Sequence, residues 1–218
     1  RNVTSAGGAS TSIGYYSSVT GNQSIGIGSQ ISNSAQKATA IGYKVTASGS
    51  GAIGIGSGTD GGSNVIASGS DAIALGTSTL ADSEKAIAIG ANSKGSNIGA
   101  TALRRSSEAT GASATALGSL ASATGSTATA VGMQASASGN ESVAIGTNAQ
   151  ATLQGAVALG SGSTTATGAT NQGSTTINGI TYNFAGATGN PNMQVSVGSA
   201  GATRQIKNVA AGEVSATS

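Results

Sequence analysis

Residues able to do chemistry are scarce in this sequence. It has no His and no Cys, and only 9 Lys plus Arg and 7 Asp plus Glu among 218 residues. That removes imidazole bases, thiolate nucleophiles, zinc sites and disulfides. Asp60 and Asp71 suggest a metal pair, but their spacing matches no cation-binding loop. Gly26-Ile-Gly28 and Gly54-Ile-Gly56 look like fragments of a nucleotide loop, but no helical pattern follows either. Tyr15 and Tyr16 form an adjacent aromatic pair, read as exposed stacking groups or a cap. Lys85, Lys94, Arg104 and Arg105 give a modest basic strip, which reads first as solvated turns that oppose lateral stacking. Arg104, Arg105 and Asp60 are the candidate surface-binding residues. No catalytic residue, metal site or cofactor is expected. With a net charge of +2 and 2% aromatic residues, nucleic acid is not expected as a partner.

What the sequence has instead is a period. A glycine closes a short apolar phrase at Gly14, Gly28, Gly42, Gly56, Gly76, Gly90, Gly118, Gly132, Gly146 and Gly160, mostly 14 residues apart. Arg104 stands where a glycine would close the phrase Ala100-Thr-Ala-Leu103. The step from Gly56 to Gly76 holds six extra residues, assigned to Ser57–Gly62. The sequence thus describes eleven coils.

Just before each closing residue stands a large aliphatic, including Ile41, Ile89, Leu117, Val131, Ile145 and Leu159. Three before it the residue is always β-branched, and between and before these every residue is Ala, Gly or Ser. Large alternating with tiny at period two predicts a short strand. A second, plainer stretch such as Ala135-Ser-Ala-Ser-Gly139 predicts another strand in each coil. The closing glycines, Gly42, Gly90, Gly118, Gly132, Gly146 and Gly160 among them, supply the turns. Strands stacked at ~4.8 Å make the eleven coils a parallel β-solenoid roughly 50 Å long.

One such rod is poorly self-sufficient. Each coil fixes fourteen residues at ~1–2 kcal/mol of backbone entropy apiece. Its two sizeable side chains return roughly 1.5–3 kcal/mol each when buried. A partner copy along the solenoid axis is therefore expected. Two arrangements stay open: the large column fills the roll and Ala meets the partner, or Ala fills the roll and the aliphatic columns form a core shared between copies. The second is preferred, because Ala alone would hold subunits poorly.

After Gly160 the period fades. Thr175-Thr-Ile-Asn178-Gly179-Ile-Thr-Tyr182 predicts a hairpin around Asn178-Gly179. Beyond it, Val195 to Gly212 has a different grammar and contains Arg204, Gln205, Ile206, Asn208 and Val209. The coils resemble the YadA-like head of trimeric autotransporter adhesins. Ser142-Val-Ala-Ile-Gly146 matches that repeat letter for letter, and 195–212 looks like the neck that follows such heads. The resemblance divides the chain into a head at 1–160, a head-to-neck region at 161–194 and a neck at 195–218.

The resemblance implies an all-β, left-handed parallel β-roll in a homotrimer. A neck would then carry each chain onto a neighbour and narrow the trimer toward a coiled-coil stalk. The implied place is the outer face of the bacterial outer membrane, with a barrel anchor outside this sequence and no direct membrane contact from it. The implied work is non-catalytic attachment to extracellular-matrix proteins, cells or abiotic surfaces. A pure spacer of a surface fibre and, suggested by the Thr column, an ice-binding solenoid are the alternatives. Arg104, the insertion and 161–194 depart from the family pattern. The sequence begins inside repetitive sequence without a leader, as an excised piece of a longer chain would.

Overall fold

The computed structural model describes residues 2–60, 62–183 and 189–210. It is a parallel β-solenoid of two sheets. The apolar phrases form one sheet of twelve strands, from Thr11–Tyr15 to Val157–Leu159 and then Val195–Ser196; we call it the phrase sheet. The plainer stretches form a return sheet of eleven strands, from Val3–Ser5 to Gln150–Ala151. Register is exact to the repeat: Ile13 lies beside Ile27, and Ile145 beside Leu159. Coil-to-coil bonds such as Val143 N–H to Ala156 O, at 2.9 Å, close the ladder.

The interior answers the question the alternation leaves open. Ala fills the roll: Ala88, Ala102, Ala116, Ala130, Ala144 and Ala158 of the phrase sheet are fully buried, as are Ala109, Ala123, Ala137 and Ala151 of the return sheet. The large column, Ile41, Ile89, Leu117, Val131, Ile145 and Leu159, does not fill the roll. It points outward, half-buried or exposed, with Ile145 at 40%.

The exceptions inside show how tight the fit is. Val19, Ile31, Val45 and Val65 are buried in the first coils. Opposite them the phrase sheet gives way to Gly26 and Gly54. A Cβ on Gly54 would stand 2.9 Å from a Val45 methyl, and one on Gly26 3.1 Å from a methyl of Ile31. Volume added on one sheet is removed from the other. Buried hydroxyls turn back onto the turns, as Ser93 Oγ donates to Gly90 O and Ser107 Oγ to Arg104 O, both at 2.8 Å.

The roll narrows along its length. Phrase strands have five residues as far as Ile73–Thr77 and three from Ile87–Ile89 to Val157–Leu159. In the later coils the corner closes, as the N–H of Ser93 reaches the carbonyl of Gly90 and that of Ala121 the carbonyl of Gly118, both at 3.1 Å.

Turns depend less on glycine than the sequence suggests. The closing column does need it: Gly14, Gly28, Gly42 and Gly56 have φ of 130–147°, and a Cβ on Gly28 would run into the carbonyl of Gly42. Two other columns are also left-handed yet carry ordinary residues. Gln23, Lys37, Asp71, Lys85, Thr127 and Glu141 have φ of 54–60° before the phrase strands. Gln30, Lys44, Ser78, Asn92, Leu120 and Gln134 have φ of 52–61° after them. The stacked coil on either side over-determines these conformations and holds them against their intrinsic cost.

The six extra residues sit at 59–64, not 57–62. Ser57 pairs normally with Tyr43 and Thr77, and Gly58 N–H reaches Tyr43 O at 2.7 Å as its counterparts do. The predicted hairpin is present: Ser174–Ile177 pairs antiparallel with Ile180–Asn183, and Asn178 and Gly179 take φ of 49° and 81°. After it the chain returns to the roll, where Val195 lies beside Val157 and Ser196 beside Ala158. The first residues of the expected neck are therefore also the last strand of the head.

The Ala interior yields a direct test. Ala130→Leu adds a branched side chain where a methyl already has no exposure. It should cost about 1–3 kcal/mol and lower the thermal midpoint measured by circular dichroism. An unchanged midpoint would contradict a roll filled by methyl groups.

Candidate functional surface

The two sheets present opposite chemistries to the outside. On the phrase sheet, two outward columns run the length of the roll: Ile25, Ile53, Ile87 and Val143 interspersed with Thr11, Thr39, Thr101, Thr115 and Thr129 in one, and large aliphatics throughout, such as Ile27, Leu75, Leu117 and Ile145, in the other. The second makes the stripe continuously apolar. On the return sheet the outward positions are mostly small and polar, such as Ser18, Ser32, Ser122 and Ser136. Ile66, Leu80, Lys94 and Glu108 interrupt them.

Charges gather at the turns and on that second sheet, and many are paired. Lys94 Nζ lies 3.2 Å from Glu108 on the next coil, and Lys85 Nζ 2.6 Å from Glu84. The carboxyl of Glu84 is held below its ordinary range by the hydrogen bond from Lys85, and the ammonium of Lys85 is raised by the same bond. The basic strip is thus neutralised along half its length. Arg105 reaches Ser119 Oγ at 3.4 Å. Tyr15 and Tyr16 pack edge to face with centroids 4.4 Å apart, both half exposed near the first coils.

Arg104 is the strained member. It holds φ of 99° in a column otherwise glycine. Gly90 before it has no more room than the other closing glycines, since a Cβ there would stand 2.5 Å from the Arg104 carbonyl carbon. Arg104 borders a shallow depression with Leu117, Val131 and Met133, at the edge of the apolar stripe.

Asp60 belongs to a pinned loop. It accepts a hydrogen bond from the Tyr43 hydroxyl and lies 2.9 Å from Lys44 Nζ, which also reaches Thr59 O at 3.3 Å. Lys44 stands 5.2 Å from the Tyr43 ring centroid. The Tyr43 hydrogen bond, then Lys44, hold the Asp60 carboxyl below the usual carboxylate range, and Asp60 raises the ammonium of Lys44. Sequence reading missed Tyr43 and Lys44, although the tie joins neighbouring coils across the insertion. Asp71 is not drawn in, and among the described residues no group of three or more carboxylates gathers as a metal site would require.

At the far end, Arg204 folds back onto the last coil. It donates to Val197 O at 2.6 Å, to Ser163 Oγ at 3.0 Å and to Ser161 O. Glu213, the partner expected for it, lies outside the described residues. Gln205, Ile206, Asn208 and Val209 are exposed, and Asn208 has φ of 59°.

Against known families, the model described as the YadA head domain repeat (2 copies) matches residues 67–93, 109–135 and 137–163. No curated protein matches the chain. The matched segments carry the parallel two-sheet coils described above, and the first two are separated by the stretch that contains Lys94 and Arg104. The chain carries a YadA-like head, of the kind found in trimeric autotransporter adhesins.

Three outcomes follow from this geometry. Arg104→Gly should stabilise the fold by about 1–3 kcal/mol, the strain of a side chain at this φ, read as a higher thermal midpoint; a lower midpoint would mean that the guanidinium holds the coil. Deleting 59–64 should leave the midpoint nearly unchanged, because the loop's ties are exposed. The tie itself depends on pH. Asp60 has a lowered pKa, so its contribution is present at neutral pH and is lost as pH falls through that lowered value. Lys44 has a raised pKa, so its contribution is lost only as pH rises through that. Limited proteolysis at the loop should therefore quicken in acid below the ordinary carboxylate range, and Asp60→Asn should abolish the transition.

Proposed function

We propose that this YadA-like head is the non-catalytic attachment surface of a bacterial cell-surface adhesin, assembled as a homotrimer around the phrase-sheet stripe. One observation carries the reading: a single face of the rod is apolar along its whole length, while the other is polar. Apolar surface of that extent on a surface protein marks an interface. Three copies with their stripes turned inward leave three polar return sheets outward. The chemistry of those sheets is plain, so affinity for a ligand would come from repetition along the rod, among the three chains and among many fibres on one cell.

On this reading the outward sheets, the loop at 59–64 and the exposed guanidinium groups of Arg104 and Arg105 meet the ligand. Matrix proteins, cell surfaces and abiotic surfaces are the candidates, and the head stands outside the outer membrane. The segment from Val195 through Arg204 and Val209 serves as the neck, with Arg204 fastening it to the last coil. A spacer role is the second reading, favoured by the neutralised pairs Lys85–Glu84 and Lys94–Glu108 on an otherwise bland surface. The Thr-bearing column lies among Ile and Val on the stripe itself, which disfavours an ice-binding face.

The experiment has two parts. Light scattering of the purified chain should give the mass of three copies, and Ile145→Asp should raise the dissociation midpoint at least ~tenfold, since a carboxylate would enter a dry interface. A monomeric mass for the unaltered chain would refute the assembly. Solid-phase binding against matrix proteins, cells and plastics should then give saturable attachment to at least one. Assembled trimer that attaches to none of them would favour the spacer.

A further inference from the structure

The hairpin between the last full coil and Val195 has a face that no described residue of its own chain covers. Pairing of Thr175 with Tyr182 and of Ile177 with Ile180 places those four residues together. Ser174, Thr176, Thr181 and Asn183 take the other face, where the Thr176 and Thr181 hydroxyls lie 3.1 Å apart. The hairpin is therefore amphipathic, yet Ile177, Ile180 and Tyr182 are 57%, 58% and 50% exposed. Its base is fastened: Ala169 N–H donates to Pro191 O at 2.8 Å, and Gln194 Nε2 to Thr167 O at 2.6 Å. A two-stranded hairpin with no cover is marginal in water. No charged residue occurs between Glu141 and Arg204, so none of the usual charges guards this face or its edges.

The same uncharged stretch of chain offers a groove with apolar residues of its own. A groove of about 460 Å³ at the end of the roll is lined by Thr164, Gln194, Val195, Val197, Ala200 and Arg204. Val195 is 67% exposed there. It is also the last residue of the phrase-sheet stripe, so the groove continues the surface on which copies are held to meet.

We propose that the hairpin is an intersubunit clasp: its Ile177–Ile180–Tyr182 face seats over the Val195–Val197 groove of a second copy of this chain in the same trimer. The inference rests on the trimer reading given above. The hairpin face is apolar apart from Thr175, the groove sets Val195, Val197 and Ala200 among Thr, Ser and Gln, and neither carries a charge apart from the bonded Arg204. Each occurs once per chain, on different surfaces, which makes the contact heterologous. Under threefold rotation such a contact closes into a ring with every hairpin and every groove occupied. The clasp fastens the trimer at the end where the roll stops and the coil-to-coil ladder gives no further support.

The chain has no cysteine, so an introduced pair is the only thiol source for a disulfide. In the full chain, Ile180→Cys with Val197→Cys should, on mild oxidation, give covalent species that stop at three linked chains. Thr176→Cys with Val197→Cys, on the opposite face of the hairpin, should link at least tenfold more slowly. Separately, Ile180→Lys should leave the coil spectrum intact and raise the trimer dissociation midpoint severalfold. If light scattering gives three chains but the Ile180/Val197 pair links only within one chain, or not at all, the clasp is wrong while the trimer stands. Linked species larger than three chains would make the hairpin a contact between fibres and overturn the proposal. A one-chain mass for the unaltered protein would remove the trimer and the clasp together.

Discussion

The space between the two sheets is one methyl group deep on each side, and most of the molecule follows from that. A β-strand must point alternate side chains to opposite faces. With the inner face limited to Ala, Ser and Gly, every large aliphatic in the phrase strands is forced outward. Past the first coils, where Val19, Ile31, Val45 and Val65 are buried, the roll therefore has no Ile, Leu or Val in its core among the described residues. It has a dry, dense interior of small groups, such as Ala116, Ala130 and Ala144, and an apolar exterior on one sheet. The matched exchange of Gly54 for Val45 shows that the limit is on total volume rather than on residue type.

Close stacking also explains the turns. Adjacent coils are joined strand to strand, so a turn cannot relax without disturbing the coils on both sides. Ordinary residues such as Lys37, Lys85 and Gln134 are held left-handed in this way. At such corners the side chain projects into solvent, and the chain places many of its few charges there. Arg104 carries the same logic into the glycine column, where the next backbone is much nearer. Stability in a solenoid is shared between neighbours, so one strained corner can persist when ten others are at ease.

Much of this was legible in the sequence. The period, the two strands per coil and the Asn178-Gly179 hairpin all announce themselves, because β-alternation and turn chemistry are local. The direction of the alternation followed only from an argument about assembly: Ala alone would hold subunits poorly, which favoured Ala inside, as Ala144 is. Large against tiny identifies two faces, but whether Ile145 or Ala144 looks inward depends on how far apart the sheets lie, which no short stretch encodes. The insertion was placed two residues early because Ser57 and Gly58 keep the register of the regular coils and only the residues after them leave it. The left-handed columns were invisible, since Gln, Lys, Thr and Leu carry no turn signature. The tie from Tyr43 and Lys44 to Asp60 joins residues far apart in sequence, although a solenoid brings each coil beside the next. Val195 was read as neck alone because its neighbours in sequence change grammar, while its neighbour in space, Val157, does not.

A scaffold that repeats one phrase has little room for specific recognition within the phrase. Each regular coil offers the same small hydroxyls and methyls as the one before, and what it gains by repetition is length, rigidity and number. Anything particular has to reside where the repeat is broken. Within 1–160 the breaks are the coil around Arg104, the loop at 59–64 with its Tyr43–Lys44 anchor, and the Ile66–Leu80–Lys94 patch on the polar sheet. Beyond it, the break is the excursion at 161–194. They differ in kind. The first three carry charges or polar groups and lie outside the apolar stripe or at its edge, where a ligand could reach them. The last is uncharged, apolar on one face and continuous with the stripe's end, which are the properties of a contact between like chains. The division of labour follows from charge alone: charged interruptions stay wet, and the neutral one is the interruption that another copy can cover without stripping water from an ion.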